Sequence, residues 1–281
     1  MGASQSQSAH LGAQTAKADA ATLVVATINV QMLEHGDPDR LGRVVYGRLG
    51  KAHVICVQED LCPGGINIPH YNLVAQCTGE TIYMDDKRLR LCNSIFVRKG
   101  LRVKDVARVE LPTGHGLFVP RCAVLCTVRN VRIANVHLTG GRYDDPQAHL
   151  QPDIKNLQIQ RLLDCDKPPD IVVGDLNGEP GPLPDSVRAY ERSLPTRAAL
   201  RFPTFFAGGH ETLEKAGFTP ALSKYGKPFL TSVFHTSPDW IYYRPRRGCA
   251  QLVGHLSLVP FTKPPVASDH DALLARFTTG K

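Results

Sequence analysis

Several apolar runs in this 281-residue chain end on polar residues that their lead-ins do not explain. Asn29 follows LVVATI, Glu59 follows VICVQ, His137 follows RIANV, and Asp175 and Asn177 close the run DIVVG. Asp239 stands immediately before WIYY, and the triplet Ser268-Asp269-His270 precedes ALLARF. Strand ends are where a sheet protein holds polar side chains rigidly beside solvent. Carboxylates and carboxamides collected there can bind a hard cation or take a proton from water, and imidazoles can donate to an anion. Each residue alone has a structural explanation; their joint occurrence is what needs one.

The elements that must position them are mostly strands. β-rich runs span Leu23 to Val30, His53 to Val57, Tyr71 to Cys77, Ser94 to Arg98, Leu101 to Val109, Cys122 to Arg129, Val131 to Leu138, Ile171 to Gly174, Trp240 to Arg244, Gln251 to Val259 and Ala272 to Phe277. Helical spacing appears over Pro38 to Leu49, Ile154 to Leu163, Asp185 to Ser193 and Glu211 to Ala216. Asn130 between two apolar runs predicts a tight hairpin. Many strands, some joined by hairpins and others by helices, predict an α+β sandwich of layered sheets with helices outside.

Composition narrows the class. With 42% apolar and 21% charged residues the chain can bury a core and is not a disordered polyelectrolyte. No apolar stretch approaches the roughly 20 residues of a membrane-spanning helix. The eight cysteines form no CxxC pair and most lie in apolar runs, so all are expected as reduced core residues in an intracellular, cytoplasmic protein. Residues 1–21 carry no hydrophobic period and are expected to form a flexible tail; its opening Met1-Gly2-Ala3-Ser4-Gln5-Ser6 fits the pattern for myristoylation of Gly2, which would give weak, reversible membrane association. Thirty-three Lys and Arg against 26 Asp and Glu leave a formal charge of +7, a mild field suited to a polyanionic partner.

The ordered set Asn29, Glu59, His137, Gly174-Asp175-Leu176-Asn177, Asp239-Trp240-Ile241 and Ser268-Asp269-His270 closely resembles the endonuclease/exonuclease/phosphatase superfamily. The resemblance runs from about residue 22 to 278 and implies one domain, 22–281, after the tail. It implies an α+β fold: a four-layer α/β sandwich of two mixed β-sheets with helices outside, like deoxyribonuclease I. The implied chemistry is metal-dependent hydrolysis of a phosphodiester by activated water, in which a hard cation offsets charge on the phosphate. Mg2+ is the expected ion, with Mn2+ the alternative. By the resemblance Glu59 is the principal metal ligand, assisted by Asn29 and Asp269. Asp175 orients or deprotonates the attacking water, and Asn177 holds Asp175 and the phosphate. His270, paired with Asp239, and His137 donate to the phosphate. Arg121 and Arg142 are candidate phosphate contacts.

Two departures stand out. Gln31 lies where several branches carry an acidic residue or Gly, and the segment after His137 fits no single branch. Gly178-Glu179-Pro180 after GDLN disfavours inositol 5-phosphatases, whereas the C-terminal layout is closest to the deadenylase and 2′,5′-phosphodiesterase group. Nucleic acid is therefore the expected substrate and a monomer the expected state. A sphingomyelinase-like phospholipid phosphodiesterase and a catalytically inactive phosphate-binding module are the alternatives. Basic segments Arg98 to Lys104 and Arg244 to Arg247, the latter beside Tyr242 and Tyr243, are expected to flank the site.

Overall fold

The structure is a computed structural model that describes residues 22–31, 37–62, 65–84, 87–113, 121–140, 150–178, 208–232, 236–245, 250–262 and 268–279. In chain order the described elements are β1 (Thr22–Asn29), α1 (Pro38–Leu49), β2 (Val54–Cys62), β3 (Tyr71–Met84), β4 (Lys87–Arg98), β5 (Val103–Leu111), β6 (Arg121–Val128) and β7 (Val131–His137). They continue with α2 (Gln151–Leu163), β8 (Ile171–Asp175), α3 (His210–Lys215), β9 (Thr219–Pro220), β10 (Asp239–Tyr243), β11 (Gln251–Leu252), β12 (Ser257–Val259) and β13 (Ala272–Thr278).

Two mixed sheets result. The first runs β11-β13-β1-β2-β4-β3 with β12 also on β13; the second runs β5-β6-β7-β8-β10-β9. The pairs β1/β2 and β7/β8 are parallel, and the other pairs are antiparallel. Alternate residues divide the central strands between two cores. Leu23 and Val25 of β1, Ile133 of β7 and Ile171 and Val173 of β8 fill the space between the sheets. Val24, Ala26 and Ile28 instead meet Leu41, Val45 and Leu49 of α1, while Leu125, Val136 and Val172 meet Ile159 and Leu162 of α2. Burial on both faces is why these strands read as continuous apolar runs. Each such fully buried aliphatic side chain contributes roughly 1.5–3 kcal/mol. The layers are therefore helix, sheet, sheet, helix, as expected.

Local signals explain the boundaries. Asp37 caps α1 by accepting from the Arg40 N–H at 2.9 Å, and Pro38 opens its first turn. Arg129 and Asn130 both have positive φ, 51° and 62°, so the β6–β7 hairpin turns in the manner that matches strand twist. The β3–β4 hairpin is longer than the expected Tyr71 to Cys77 and Ser94 to Arg98, pairing out to Met84 and Lys87. Backbone pairing continues there through the alternating run Arg88-Leu89-Arg90-Leu91. The single strand expected over Gln251 to Val259 is two short ones, separated by a turn at Gly254. The predicted helix Asp185 to Ser193, and the tail with Gly2, lie outside the described residues.

One expectation is overturned. Cys77 of β3 and Cys122 of β6 are joined in a disulfide that ties the two sheets together. They are 45 residues apart in sequence, so only the stacking of the sheets brings them together. Cys56 and Cys126 are buried free thiols, as expected, Cys92 is buried, and Cys165 is half-buried. Eight reduced thiols can no longer serve as the premise for an intracellular location. Among the described residues no helix is long and apolar enough to cross a membrane.

Candidate active site

Strand parity builds the site. Asn29, His137, Asp175 and Asp239 belong to the inward-facing series of β1, β7, β8 and β10, whose next members along each strand lie toward the inter-sheet core. At the end of the sandwich this alternation turns from apolar to polar, so side chains from both sheets converge at the mouth of the gap between them. Just below, Gln58 Nε2 donates to Asn135 Oδ1 at 2.6 Å, and Asn135 Nδ2 donates to the Val57 and Ser94 carbonyls. This buried network locks one sheet to the other beneath the site.

Glu59 breaks the parity of β2. The β2–β4 register shifts between Val57 and Asp60, and Glu59 has a φ of 55°. Such a bulge re-aims a side chain at some cost in backbone strain. Asp60 anchors its far side, accepting from Ser94 Oγ at 2.7 Å and from the Ile66 N–H at 2.9 Å. Glu59 thereby joins Asn29, whose Nδ2 donates to Glu59 Oε1 at 3.1 Å and to Asp175 Oδ2 at 3.0 Å. Gln31 has a role in this arrangement: its N–H donates to Asn29 Oδ1 at 3.1 Å. Asn29, expected as a metal ligand, turns its amide hydrogens toward Glu59 and Asp175, and its Oδ1 accepts from the Gln31 backbone.

The second sheet supplies Asp175. Its Oδ1 accepts from the Asn177 N–H at 2.8 Å, and Asn177 Nδ2 donates to the Leu138 carbonyl at 3.2 Å. Gly174 is required here, because a Cβ would lie 1.9 Å from the Val136 carbonyl oxygen. Gly140 is required by the next turn, where a Cβ would lie 2.7 Å from the Asn177 carboxamide. Burial, then the neighbouring Asp239, pushes the Asp175 carboxyl up to about 7.

The two histidines are held in opposite states. Burial alone would lower His270, but Asp239, whose Oδ2 lies 2.7 Å from its Nδ1, overrides that and raises it to about 10. Burial, Arg121 and His270 hold His137 well below the usual imidazole value. Arg121 donates to His137 Nδ1 at 3.1 Å, which leaves the hydrogen of the neutral ring on Nε2. That nitrogen lies 3.7 Å from Asp175 Oδ2 and 3.9 Å from Glu59 Oε1. Ser268 Oγ donates to the Asn29 carbonyl at 2.5 Å and accepts from the His270 N–H at 3.0 Å, joining β1 to the SDH turn. Asp269 Oδ1 is 3.7 Å from His270 Nε2.

The expected residues Asn29, Glu59, Arg121, His137, Asp175, Asn177, Asp239, Asp269 and His270 therefore meet at one end of the sandwich. Arg142 lies outside the described residues. The described parts of the basic segments do not flank the site; Arg246 and Arg247 lie outside the described residues. Arg98 donates from its backbone to His53 and Arg244 to Asp170, at the starts of β2 and β8, so both residues lie at the opposite pole. Arg244 is also buried, its guanidinium 4.4 Å from the centre of the Phe218 ring.

The donor set fits a hard divalent cation. Glu59, Asp175, Asp239 and Asp269 outweigh protonated His270 and Arg121, and Asp239 Oδ1 is buried without a hydrogen-bond partner. Asp175, Asp239 and His270 offer ligand atoms within 4.8 Å of one another, although the His270–Asp239 hydrogen bond already engages two of them. Oxygen-rich sites of this kind suit Mg2+ or Mn2+.

The helix over Ile154 to Leu163 was expected, but its part in the site was not. Lys155, fully buried, donates from Nζ to the Asn177 carbonyl, and Gln158 Oε1 accepts from the Thr139 N–H at 2.9 Å. Burial lowers the Lys155 ammonium to about 7, opposed by Asp175. The available signal was the pair Lys155 and Gln158, three positions apart within the helical run. We expect Lys155→Met to lower kcat about tenfold with little change in KM, since a loosened Asp175–Asn177 turn costs on the order of 1.4 kcal/mol in the transition state. Steady-state kinetics of the variant beside Lys155→Arg, which keeps a donor, checks this.

This fold is that of the endonuclease/exonuclease/phosphatase proteins. An endonuclease/exonuclease/phosphatase from Beutenbergia cavernae superposes with a TM-score of 0.61 at 15% identity, over 92% of this chain and 72% of that one. The human Nocturnin catalytic domain, with bound sulfate, gives 0.55 at 16% identity, over 92% and 93%. D. rerio TDP2, complexed with a single-strand DNA product, gives 0.54 at 17% identity, over 92% and 99%. No protein-family model and no curated protein sequence matches the chain.

Proposed function

We propose that the chain is a metal-dependent phosphodiesterase that hydrolyses nucleic acid or an oligonucleotide. The observation that carries this reading is the meeting of Asp175, His137 and the Asp239–His270 pair with Glu59 at the mouth between the sheets. Glu59 would hold the cation with Asp269 beside it, and Asn29 would fix the Glu59 carboxylate through its amide. A bound Mg2+ or Mn2+ supplies charge neutralisation on the phosphate oxygens.

The side chains then have distinct tasks. Asp175, held by Asn29 and Asn177 and raised toward neutrality, is suited to orient water and accept its proton. His270, kept charged by Asp239, donates to the phosphate from Nε2, and neutral His137 donates from its own Nε2. Arg121 fixes the His137 tautomer and brings a positive charge to the same edge. The single-strand DNA product bound by TDP2 supports the polymer substrate.

The test is hydrolysis of a generic phosphodiester with and without Mg2+. Chelation is expected to abolish turnover and added Mg2+ to restore it. Loss of an outer partner of a metal site costs about 10–100-fold, so Glu59→Ala, which removes the ligand itself, is expected to lose more than about 100-fold. Equal rates for wild type, Glu59→Ala and Asp175→Asn would overturn the assignment. Turnover of sphingomyelin with single-stranded RNA and plasmid DNA untouched would replace nucleic acid by phospholipid.

A further inference from the structure

The segment Ser223–Leu230 has no part in the chemistry above, yet it leads directly into the site. Ser223, buried, closes a tight turn: its N–H donates to the Lys227 carbonyl at 3.0 Å, and the Gly226 N–H donates back to the Ser223 carbonyl at 2.9 Å. Gly226 has a φ of 70°, which only a residue without a Cβ adopts freely. At the far end Thr231 is fastened to the catalytic pair. Its carbonyl accepts from the Asp271 N–H at 2.6 Å, its Oγ1 accepts from the Asp239 N–H at 3.4 Å, and Ser232 bridges His270.

Between these anchors the chain presents Lys224, Tyr225, Gly226 and Lys227 to solvent, with no acidic residue from Ser223 to Leu230. Tyr225 is 75% exposed, the most exposed large apolar side chain described, and Lys224 Nζ stands 4.9 Å from the centre of its ring. Folding does not use this ring, so nothing internal accounts for its presence. At an extended reach of about 3.3–3.6 Å per residue, Tyr225 lies no more than roughly 20 Å from Thr231.

We propose that this turn is a substrate platform on which Tyr225 stacks a base of a single-stranded nucleic acid while Lys224 and Lys227 meet its backbone phosphates. An exposed ring between two ammonium groups suits a chain that alternates flat bases with anions, and stacking is tolerant of sequence. A bilayer is the poorer fit. Insertion needs several apolar side chains at the tip, whereas here Tyr225 stands between Lys224 and Lys227 and Phe229 packs back against the inter-sheet core. The inference rests on the nucleic-acid reading above and deepens it.

Direct binding separates the two. A fluorescent single-stranded RNA oligonucleotide is titrated in EDTA, so that affinity is read without turnover. Stacking of one base contributes about 1–3 kcal/mol, so Tyr225→Ala is expected to weaken binding about 5- to 150-fold, while Tyr225→Phe stays near wild type. Lys224→Ala with Lys227→Ala is expected to flatten the dependence of affinity on salt. RNA binding that is equal in wild type and Tyr225→Ala would overturn the platform and leave the proposed hydrolase intact. Wild type that binds RNA through Tyr225 but hydrolyses no diester would keep the platform and remove the enzyme. Binding of wild type to sphingomyelin vesicles instead of RNA, lost in Tyr225→Ala, would overturn the platform in favour of a membrane contact.

Discussion

Asp175→Asn is expected to lower kcat for a phosphodiester by about 10²–10⁴-fold while leaving the fold intact. The carboxylate accepts two hydrogen bonds, from Asn29 Nδ2 and from the Asn177 N–H. The carboxamide replaces one acceptor by an NH2 that must face a donor, because both neighbours present hydrogens. Proton-accepting capacity is lost as well. Single-turnover kinetics separates this from a binding defect: the variant should retain affinity for the oligonucleotide and lose the chemical step. A kcat within a few-fold of wild type would mean that another group activates water.

His270→Ala and Asp239→Asn should each remove a similarly large factor, about 10²–10⁴-fold, and the double variant should be no worse than the more damaging single one. The two side chains act as a unit: the 2.7 Å contact between His270 Nδ1 and Asp239 Oδ2 keeps the imidazole charged, and without Asp239 burial drives it to the neutral form. Groups that work through one another give non-additive losses. Fully additive losses in a double-mutant cycle on kcat would show that the two act independently. The Asp239→Asn variant carries a further signature, since the His270 ring resonances should then titrate at a lower pH.

Much of the site was legible in the chain because the end of a buried strand leaves a sharp mark. An apolar run that stops on Asn29, His137 or Asp175 reports both the strand and its rim, and the helix, sheet, sheet, helix layering follows from runs buried on both faces. Other features left no mark. The strand β9 is two residues long. The Gln31 N–H that donates to Asn29 Oδ1 is a backbone contact that does not depend on the residue type. The basic segments at Arg98 and Arg244 read as a collar, yet the antiparallel course of β4 and β10 carries these two residues to the opposite pole.

The order of polar residues at strand ends, and the layered sheets that carry them, were determined by the sequence alone, because hydrophobic periodicity and strand termination are local properties; the resemblance carried by that order implied the rest of the fold. Contacts between residues distant in sequence were decided by the tertiary structure. The bulge that turns Glu59 into the site depends on how β2 registers against β4. The Cys77–Cys122 link depends on one sheet stacking on the other. Lys155 reaches Asn177 only once α2 lies across the second sheet. Each is set by the relative placement of elements, which long-range packing determines and no local pattern encodes.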